Sequence, residues 1–266
     1  FVFFHATGFN AQTYTILLDK LNKKFNSEIN IYALDQRGHG LSKAEAVPEN
    51  LTSWAPFLED GLEFVDSLSG PIICSGHSMG AVIAAKVASK RKIKLFMIEP
   101  VLFGPEQAKI WRSSQAKPGN KPNIADGAAK RRRNFDSIDE ALKSYEGRGA
   151  FKTWGPEWIK DYLLGGTQKS PNEGIELSCT PEWESMTFKS SSMDTWDFLE
   201  DIEIQTFTIA AAPEEESGTT FSEDARKALL NLGSTWKLEE IEGASHFLPM
   251  EYSDLVTDRI YDYLNI

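Results

Sequence analysis

One short segment of the chain has the composition and spacing needed for a reactive nucleophile. Residues Gly76–Gly80 have the sequence GHSMG; they follow the apolar segment Pro71–Ser75 and precede a segment rich in Ala and Val. A G-x-S-x-G motif between a strand and a helix is typical of a nucleophile elbow, where glycines leave room for a sharply turned serine. Such a turn exposes the serine hydroxyl above the sheet, next to a helix N-terminus that favours negative charge. The motif therefore predicts Ser78 as a nucleophile.

A serine nucleophile needs a base, and the chain contains four histidines, at positions 5, 39, 77 and 246. His77 lies inside the elbow and cannot easily turn back on its neighbour. His5 and His39 lie in loops where we expect other roles, with His5 anchoring its loop through hydrogen bonds. His246 follows the last predicted strand, and the order Ser…His is the one found in hydrolases. We therefore predict His246 as the base.

The beginning of the chain can supply hydrogen-bond donors for an oxyanion. The apolar segment Phe1–Phe4 is predicted as a buried strand that leads into a loop of small residues, HATGF. A loop of this kind can direct a backbone N–H towards the oxyanion, together with the N–H of Met79 after the nucleophile. We predict Thr7 as the loop donor. Gly8 and Phe9 remain alternatives, because the loop lacks the usual His-Gly pair.

Four motifs together carry a family resemblance: HATGF at 5–9, DQRGHGLS at 35–42, GHSMG at 76–80 and GASHF at 243–247. In this order and spacing they resemble the α/β-hydrolase superfamily, in its serine-nucleophile, esterase- and lipase-like branch. The resemblance implies an eight-stranded sheet of which this chain contains the third strand onward, with the first two expected upstream. It also implies that DQRGHGLS is a structural loop, so His39 has no predicted catalytic role.

The acidic partner of His246 is where the sequence departs from the commonest family pattern. Family members usually carry an Asp after the penultimate core strand, whereas here that strand leads into Pro213-Glu214-Glu215-Glu216. Glu214 could serve as the acid, although the acidic run is also typical of a solvated turn. Glu99 ends the apolar strand that comes one strand earlier in the sheet. Some branches of the superfamily carry their acid at the end of that strand. A carboxylate buried there is costly without a partner, and a histidine would provide one, so we favour Glu99.

These residues need a scaffold, and apolar runs that alternate with helical patterns predict a mostly parallel α/β sheet flanked by helices. The predicted buried strands are Phe1–Phe4, Ile29–Leu34, Pro71–Ser75, Ile93–Ile98, Ile204–Ala210 and Trp236–Ile241. The predicted helices of this unit are Thr13–Leu21, Leu51–Leu68, Gly80–Lys90, Glu223–Leu232 and Ser253–Leu264. The chain segments 1–100 and 202–266 are accordingly predicted to form the core.

The segment 101–201 between the strands near Ile98 and Ile204 is too long for a loop and is predicted as a helical cap over one end of the sheet. It has helical patterns at 138–145, 156–164 and 181–188, and it contains five of the seven tryptophans. These tryptophans either form an apolar wall above a pocket or fill the core of the cap itself. Within it, the basic, Gly- and Pro-containing segment Ala116–Arg133 is predicted as an exposed loop rather than an anion site.

Composition limits the partners of the protein. A net charge of −11 over 266 residues argues against nucleic acid as a main partner, and no run is apolar enough for a membrane span. The two cysteines, Cys74 and Cys179, form no metal-ligand or disulfide pattern, which favours a reducing, cytoplasmic compartment. The sequence is compatible with a homodimer.

Ser, His and an acid in this arrangement predict acyl transfer through an acyl-enzyme, with ester hydrolysis as the expected reaction. The same residues could hydrolyse a thioester or a carbon–carbon bond, and a ligand receptor with little turnover is the alternative outside enzymes. No metal or organic cofactor is needed for this chemistry. The aromatic cap favours a small-molecule substrate with an apolar acyl group.

Overall fold

The computed structural model of the protein describes residues 1–114, 124–191, 194–214 and 219–265, without the side chains of residues 111–114. Nine strands occur in this part of the chain: β1 (Val2–Phe4), β2 (Tyr32–Leu34), β3 (Ile73–His77), β4 (Lys94–Ile98), β5 (Asn134–Phe135), β6 (Thr167–Lys169), β7 (Ile175–Leu177), β8 (Thr206–Ala211) and β9 (Trp236–Ile241).

Six of these strands form one parallel sheet in the order β2-β1-β3-β4-β8-β9. All six occur where the sequence predicts a strand. The register pairs Phe4 with Gly76, His77 with Ile98, and Ile98 with Ile209. Because the strands are parallel and in register, the residues that follow β1, β3, β4 and β8 meet at one edge of the sheet. The predicted α/β-hydrolase type of fold is confirmed.

The described residues form twelve α-helices: α1 (Thr15–Lys24), α2 (Ala55–Ser67), α3 (Met79–Arg91), α4 (Pro105–Ser114), α5 (Ile124–Ala129), α6 (Ile138–Tyr145), α7 (Pro156–Gly166), α8 (Pro181–Lys189), α9 (Thr195–Leu199), α10 (Glu223–Asn231), α11 (Leu248–Glu251) and α12 (Ser253–Leu264). Three short 3₁₀ helices lie at Ala11–Tyr14, Pro48–Asn50 and Gly149–Phe151. None of the helices in the described ranges is long and apolar enough to cross a membrane.

The helices cover both faces of the large sheet. On one face, α2, α3 and α10 pack against Val2, Phe4, Leu95 and Met97. On the other face, α1 and α12 pack against alternating strand residues that include Phe3 and Phe96. Successive strand residues point to opposite faces, so apolar runs such as these are expected where both faces are covered.

Not every strand is as buried as its sequence suggests. The strand predicted at Ile29–Leu34 begins only at Tyr32, and the Tyr32 side chain is 38% exposed. Among the described strands, β2 pairs only with β1. An apolar run does not distinguish an edge strand from a central one.

The insert, residues 101–201 between β4 and β8, contains more than the predicted helices. In addition to α6, α7 and α8, which match the three helical patterns, it contains a small antiparallel sheet in the order β5-β7-β6. Its strands are two or three residues long, too short for an alternating pattern to be visible in the sequence. The sequence analysis therefore predicted the helices of the insert but not this small sheet.

Candidate active site

The turn from β3 into α3 places Ser78 at the carboxyl edge of the sheet in a strained conformation. Ser78 has φ 58° and ψ −120°, a region that residues with a side chain rarely adopt. Two glycines make this turn possible: a Cβ on Gly76 would overlap the backbone of Gly80, and a Cβ on Gly80 would overlap the carbonyl of Phe4. The glycines of the motif are thus required by the close approach of strand and helix.

The serine lies against the predicted base. The distance from Oγ of Ser78 to Nε2 of His246 is 3.0 Å, and Oγ does not cap the helix that follows it. His246 lies in the loop between β9 and α11, and its side chain is 17% exposed. The hydroxyl can therefore donate to the imidazole, as a serine must if the histidine is to remove its proton.

Glu99 lies on the other side of the imidazole. Its carboxylate is fully buried, and Oε1 is 3.5 Å from Nδ1 of His246. This distance is longer than a good hydrogen bond, and within the described residues the buried Nδ1 atom has no hydrogen-bond partner. The carboxylate is instead held by two other donors: the N–H of Ala211 at 2.8 Å from Oε2, and the hydroxyl of Thr219 at Oε1.

Glu214, the alternative acid, occupies a different environment. It is exposed, and its Oε1 accepts a hydrogen bond from the N–H of Gly243 at 3.3 Å. Residues 215–218 of the acidic run lie outside the described residues. Of the two candidates, Glu99 is the buried carboxylate directed at Nδ1 of His246.

The predicted oxyanion donors, Thr7 and Met79, are neighbours, and the turn around Thr7 has one N–H group without a partner in the described part of the chain. Ala6, Thr7, Gly8 and Phe9 form a turn, and three of its four N–H groups are already bonded: Ala6 to Tyr14, Gly8 to His39 and Phe9 to Ala6. Only the N–H of Thr7 has no partner among the described residues. The Thr7 hydroxyl lies 3.3 Å from Sδ of Met79, so the two residues are neighbours.

Met79, the second predicted donor, carries an N–H group that is unbonded within the described ranges, for a structural reason. It is the first residue of α3, and the first N–H groups of a helix have no partner within it. These groups also carry the positive end of the helix dipole, which favours an anion.

Two buried histidines fix the turn that carries Thr7. His39 accepts from the N–H of Gly8 at 3.1 Å through Nε2 and donates through Nδ1 to the carbonyl of Arg37. His5 accepts from the N–H of Gln36 at 3.0 Å and donates through Nδ1 to the carbonyl of Ala6. Both are neutral, since burial lowers the pKa of His39 to about 3 and that of His5 to about 4. The predicted anchoring role of His5 agrees with these contacts, and His39 has an equivalent one that the sequence did not reveal.

His77 and Tyr14 connect the turn that carries Thr7 to the loop that carries His246. The hydroxyl of Tyr14 accepts from the N–H of Ala6 and lies 2.8 Å from Nδ1 of His77, whose Nε2 lies 2.8 Å from the carbonyl oxygen of His246. Because a carbonyl can only accept, Nε2 carries the proton, and Tyr14 donates to Nδ1. Burial lowers the pKa of His77 well below its usual value, so this arrangement is the neutral one.

An aromatic ring of the insert contacts residues close to Thr7 and His246. Trp154 contacts Phe9 and Phe247, with ring centroids 5.1 and 5.7 Å apart respectively. Trp183 instead joins the insert to the core by donating to the carbonyl of Arg37, and Trp196 donates to the carbonyl of Phe103 within the insert. The two interpretations of the tryptophans therefore apply to different residues: Trp154 belongs to a wall near the site, and Trp183 and Trp196 to packing.

The basic segment predicted as an exposed loop is described only in part. Residues 115–123 lie outside the described residues, and α5 occupies 124–129. The three arginines that follow are paired: Arg131 with Glu184, Arg132 with Glu140 and Arg133 with Glu176. The loop prediction was therefore wrong for residues 124–129, which form a helix, whereas residues 130–133 are a largely exposed, ion-paired loop.

Thr219 and Arg226 are further residues that sequence reasoning missed. Arg226 is buried, and its Nη2 donates to Oγ1 of Thr219, the residue whose hydroxyl donates to Glu99. No motif marks either residue, because each acts through a contact made only in the folded chain. In the described ranges, no group of three or more His, Cys, Asp or Glu side chains could hold a metal ion.

Comparison with known proteins places this geometry in a family. Residues 1–259 match the sequence profile of the alpha/beta hydrolase family. A probable protein phosphatase methylesterase 1 of Dictyostelium discoideum is 24% identical over 163 residues, which are 54% of this chain and 48% of that protein. The match therefore spans about half the length of that relative.

Solved structures resemble the fold over the whole chain. An E-2-(acetamidomethylene)succinate hydrolase has a TM-score of 0.73 and 17% identity, covering 100% of this chain and 91% of the other. The peroxisomal alpha-beta-hydrolase Lpx1 of Saccharomyces cerevisiae has a TM-score of 0.75 and 18% identity, covering 99% of this chain and 75% of the other. On the strength of the profile match, which extends over nearly its full length, the chain belongs to the alpha/beta hydrolase family.

Proposed function

We propose that this protein is a serine hydrolase that cleaves a carboxylic ester through an acyl-enzyme. The observation that carries the proposal is the 3.0 Å contact between Oγ of Ser78 and Nε2 of His246, made at a strained strand–helix turn. Strain of this kind persists where the surrounding structure enforces it, and it is found mainly at functional sites. The methylesterase relative supports ester cleavage within the family.

In the proposed mechanism, Nε2 of His246 accepts the proton of Ser78 as Oγ attacks the ester carbonyl. The carbonyl oxygen becomes negative and is stabilised by the N–H groups of Thr7 and Met79. Glu99 favours the imidazolium that forms, since its buried carboxylate is 3.5 Å from Nδ1. His246 then protonates the leaving alcohol. A water molecule attacks the acyl-enzyme in the same way, and the acid and free Ser78 are released.

We further propose that the insert acts as a cap and that Trp154 and Phe9 contact the acyl group of a small-molecule substrate. Their rings contact each other edge to face, next to Phe247 and the His246 loop. An apolar wall beside a few polar groups is what a small-molecule site requires. The two cysteines, both buried and unpaired, agree with the proposed cytoplasmic location.

The test combines covalent labelling with turnover. A fluorophosphonate should add one adduct to the protein, located on Ser78 by peptide mass spectrometry, and p-nitrophenyl butyrate should be hydrolysed. Ser78→Ala should lose both, while the exposed control Ser69→Ala should keep both. Labelling without turnover of oxoesters would contradict the esterase assignment, and faster turnover of a matched thioester would replace it by a thioesterase.

A further inference from the structure

A cavity of about 290 Å³ lies between the insert and the turn that carries Thr7. Its walls combine aromatic and charged side chains: Phe9, Tyr145, Phe151, Arg131, Arg148 and Glu184. Phe9 belongs both to this wall and to the surroundings of the reactive residues, since its ring centroid lies 6.4 Å from that of His77 and 6.3 Å from that of Phe247. The cavity is therefore one aromatic ring away from the Ser78–His246 pair.

Arg131 is a fixed charge within this wall. Its Nη1 donates to Glu184, and its Nη2 donates to Tyr162 at 2.6 Å and to Tyr145 at 3.2 Å. These bonds use three of its five N–H groups, so two N–H groups remain without a described partner. The guanidinium is thus held rigidly and still has donors to offer.

Glu184 connects this charge to the turn. Its carboxylate lies directly against Gly8, where a Cβ would overlap Oε1. Gly8 has φ 76° and follows Thr7, the residue with the free N–H group. A molecule seated beside Arg131 and Glu184 would therefore lie next to the proposed oxyanion donor.

Arg148 changes the charge balance of the cavity. Arg131 and Glu184 neutralise each other, whereas the guanidinium of Arg148 is exposed and has no partner among the described residues. The lining side chains consequently carry one net positive charge, in a chain whose net charge is −11. Coulomb attraction therefore favours an anion in this cavity.

We propose that this cavity binds a carboxylate of the substrate, with Arg148 as its main partner and Arg131 as a second donor. The proposal rests on the proposed ester hydrolysis and narrows its substrates to esters that carry an ionised carboxylate beyond the reacting carbonyl. A single net positive charge matches a monoanion, and the planar guanidinium can bind a carboxylate through two N–H groups. In this arrangement the rings of Phe9 and Phe151, which line the cavity, would contact the apolar part of the same substrate.

Binding is tested without turnover, in the Ser78→Ala variant. Glutarate should raise the melting temperature, and glutaramide, which has the same shape without charge, should not. Adding Arg148→Gln should abolish the effect of glutarate. Adding Arg132→Gln should preserve the effect of glutarate, because Arg132 is also an arginine of the insert but does not line the cavity.

Turnover identifies which side of the ester carries the carboxylate. If the acyl side does, kcat/KM for the p-nitrophenyl monoester of glutarate should exceed that for p-nitrophenyl valerate. Arg148→Gln should lower the glutarate value at least about tenfold more than the valerate value, which is the usual effect of a charged hydrogen bond. If the leaving group carries it, the same dependence should appear with 4-acetoxybenzoate compared with phenyl acetate.

The outcomes separate the two proposals. Glutarate binding that depends on Arg148, without turnover of any ester, would support the carboxylate site and reject the esterase. Turnover of neutral esters with no preference for either charged ester, together with no effect of glutarate on Ser78→Ala, would overturn the carboxylate site alone. Equal losses for charged and neutral esters in Arg148→Gln would also overturn it.

Discussion

His77 donates a hydrogen bond from Nε2 to the main-chain carbonyl of His246, across 2.8 Å. The turn that carries Ser78 and the loop that carries His246 are thereby in direct contact, although 169 positions of sequence separate the bonded residues. The bond fixes the backbone of the residue whose ring must face Ser78. Tyr14 bonds both His77 and the N–H of Ala6, so one hydroxyl supports the loop of the proposed base and the turn with the proposed oxyanion donor.

Removal of that hydroxyl should slow the reaction without weakening substrate binding. Tyr14→Phe keeps the buried ring and loses the bonds to Ala6 and His77. We expect kcat for p-nitrophenyl butyrate to fall by about tenfold, as about 1.4 kcal/mol of positioning is lost, and KM to stay within twofold. The control Tyr32→Phe removes an exposed hydroxyl at the sheet edge and should change neither constant. A rise in KM alone would show that Tyr14 affects substrate binding.

The conformation of Ser78 predicts a conflict between stability and activity. At φ 58° and ψ −120° a side chain causes strain that glycine does not experience. We expect Ser78→Gly to be more stable than Ser78→Ala by about 1 kcal/mol, since such strain costs 1–3 kcal/mol and glycine loses more backbone entropy on folding. Urea unfolding of both variants measures the difference, and both should be inactive. Equal stabilities would mean that the strain is no larger than the free energy that glycine loses through backbone entropy.

Local patterns were sufficient to predict the elements that carry the reactive residues. The apolar runs predicted all six strands of the large sheet, and the GHSMG segment lies at the predicted strand–helix turn. A parallel sheet then requires the ends of β1, β3 and β4 to meet at one edge. These features follow from sequence because each depends on residues adjacent in the chain.

Contacts between distant segments could not be predicted in this way. Tyr14, Thr219 and Arg226 carry no motif, and their roles arise from partners far away in the sequence. The small sheet of the insert was missed because its strands have only two or three residues. The net charge of the cavity could not be predicted, because Arg131 and Glu184 neutralise each other only when distant parts of the insert meet in the fold.

The acid can be identified by comparing two amide substitutions. In Glu99→Gln, the side-chain oxygen can keep the hydrogen bond from the N–H of Ala211. The NH₂ group then faces Thr219 and His246. Nδ1 of His246 would then have to accept, and Nε2 would carry a proton and no longer act as a base. By analogy with triad carboxylates, we expect kcat to fall by about 10³–10⁴.

Glu214→Gln provides the matched comparison. Glu214 is exposed and solvent screens its charge, so we expect kcat to fall by less than about tenfold. Both variants should retain the labelling site at Ser78, with slower labelling in Glu99→Gln. The opposite ranking of the two variants would assign the acid to Glu214 and leave Ser78 and His246 in their proposed roles.

The buried histidines predict that acid destabilises the protein. Burial lowers the pKa of His39 to about 3 and that of His5 to about 4, whereas in the unfolded chain both are near 6.5. At a pH between the folded and the unfolded pKa, the unfolded state binds more protons than the folded state. The free energy of unfolding therefore decreases as the pH falls below about 6.5. Each histidine that stays neutral contributes a slope of up to about 1.4 kcal/mol per pH unit.

His39→Gln isolates one of these contributions. Oε1 of the glutamine can accept from the N–H of Gly8 in place of Nε2, but the side chain does not titrate. Urea unfolding from pH 7.5 to 4.5 should show a slope below pH 6.5 that is smaller than that of the unmodified protein by about 1.4 kcal/mol per pH unit. Any loss of packing is independent of pH and cancels in the slope. An unchanged slope would mean that His39 becomes protonated in the folded state, and its bond to Gly8 would then be lost in acid.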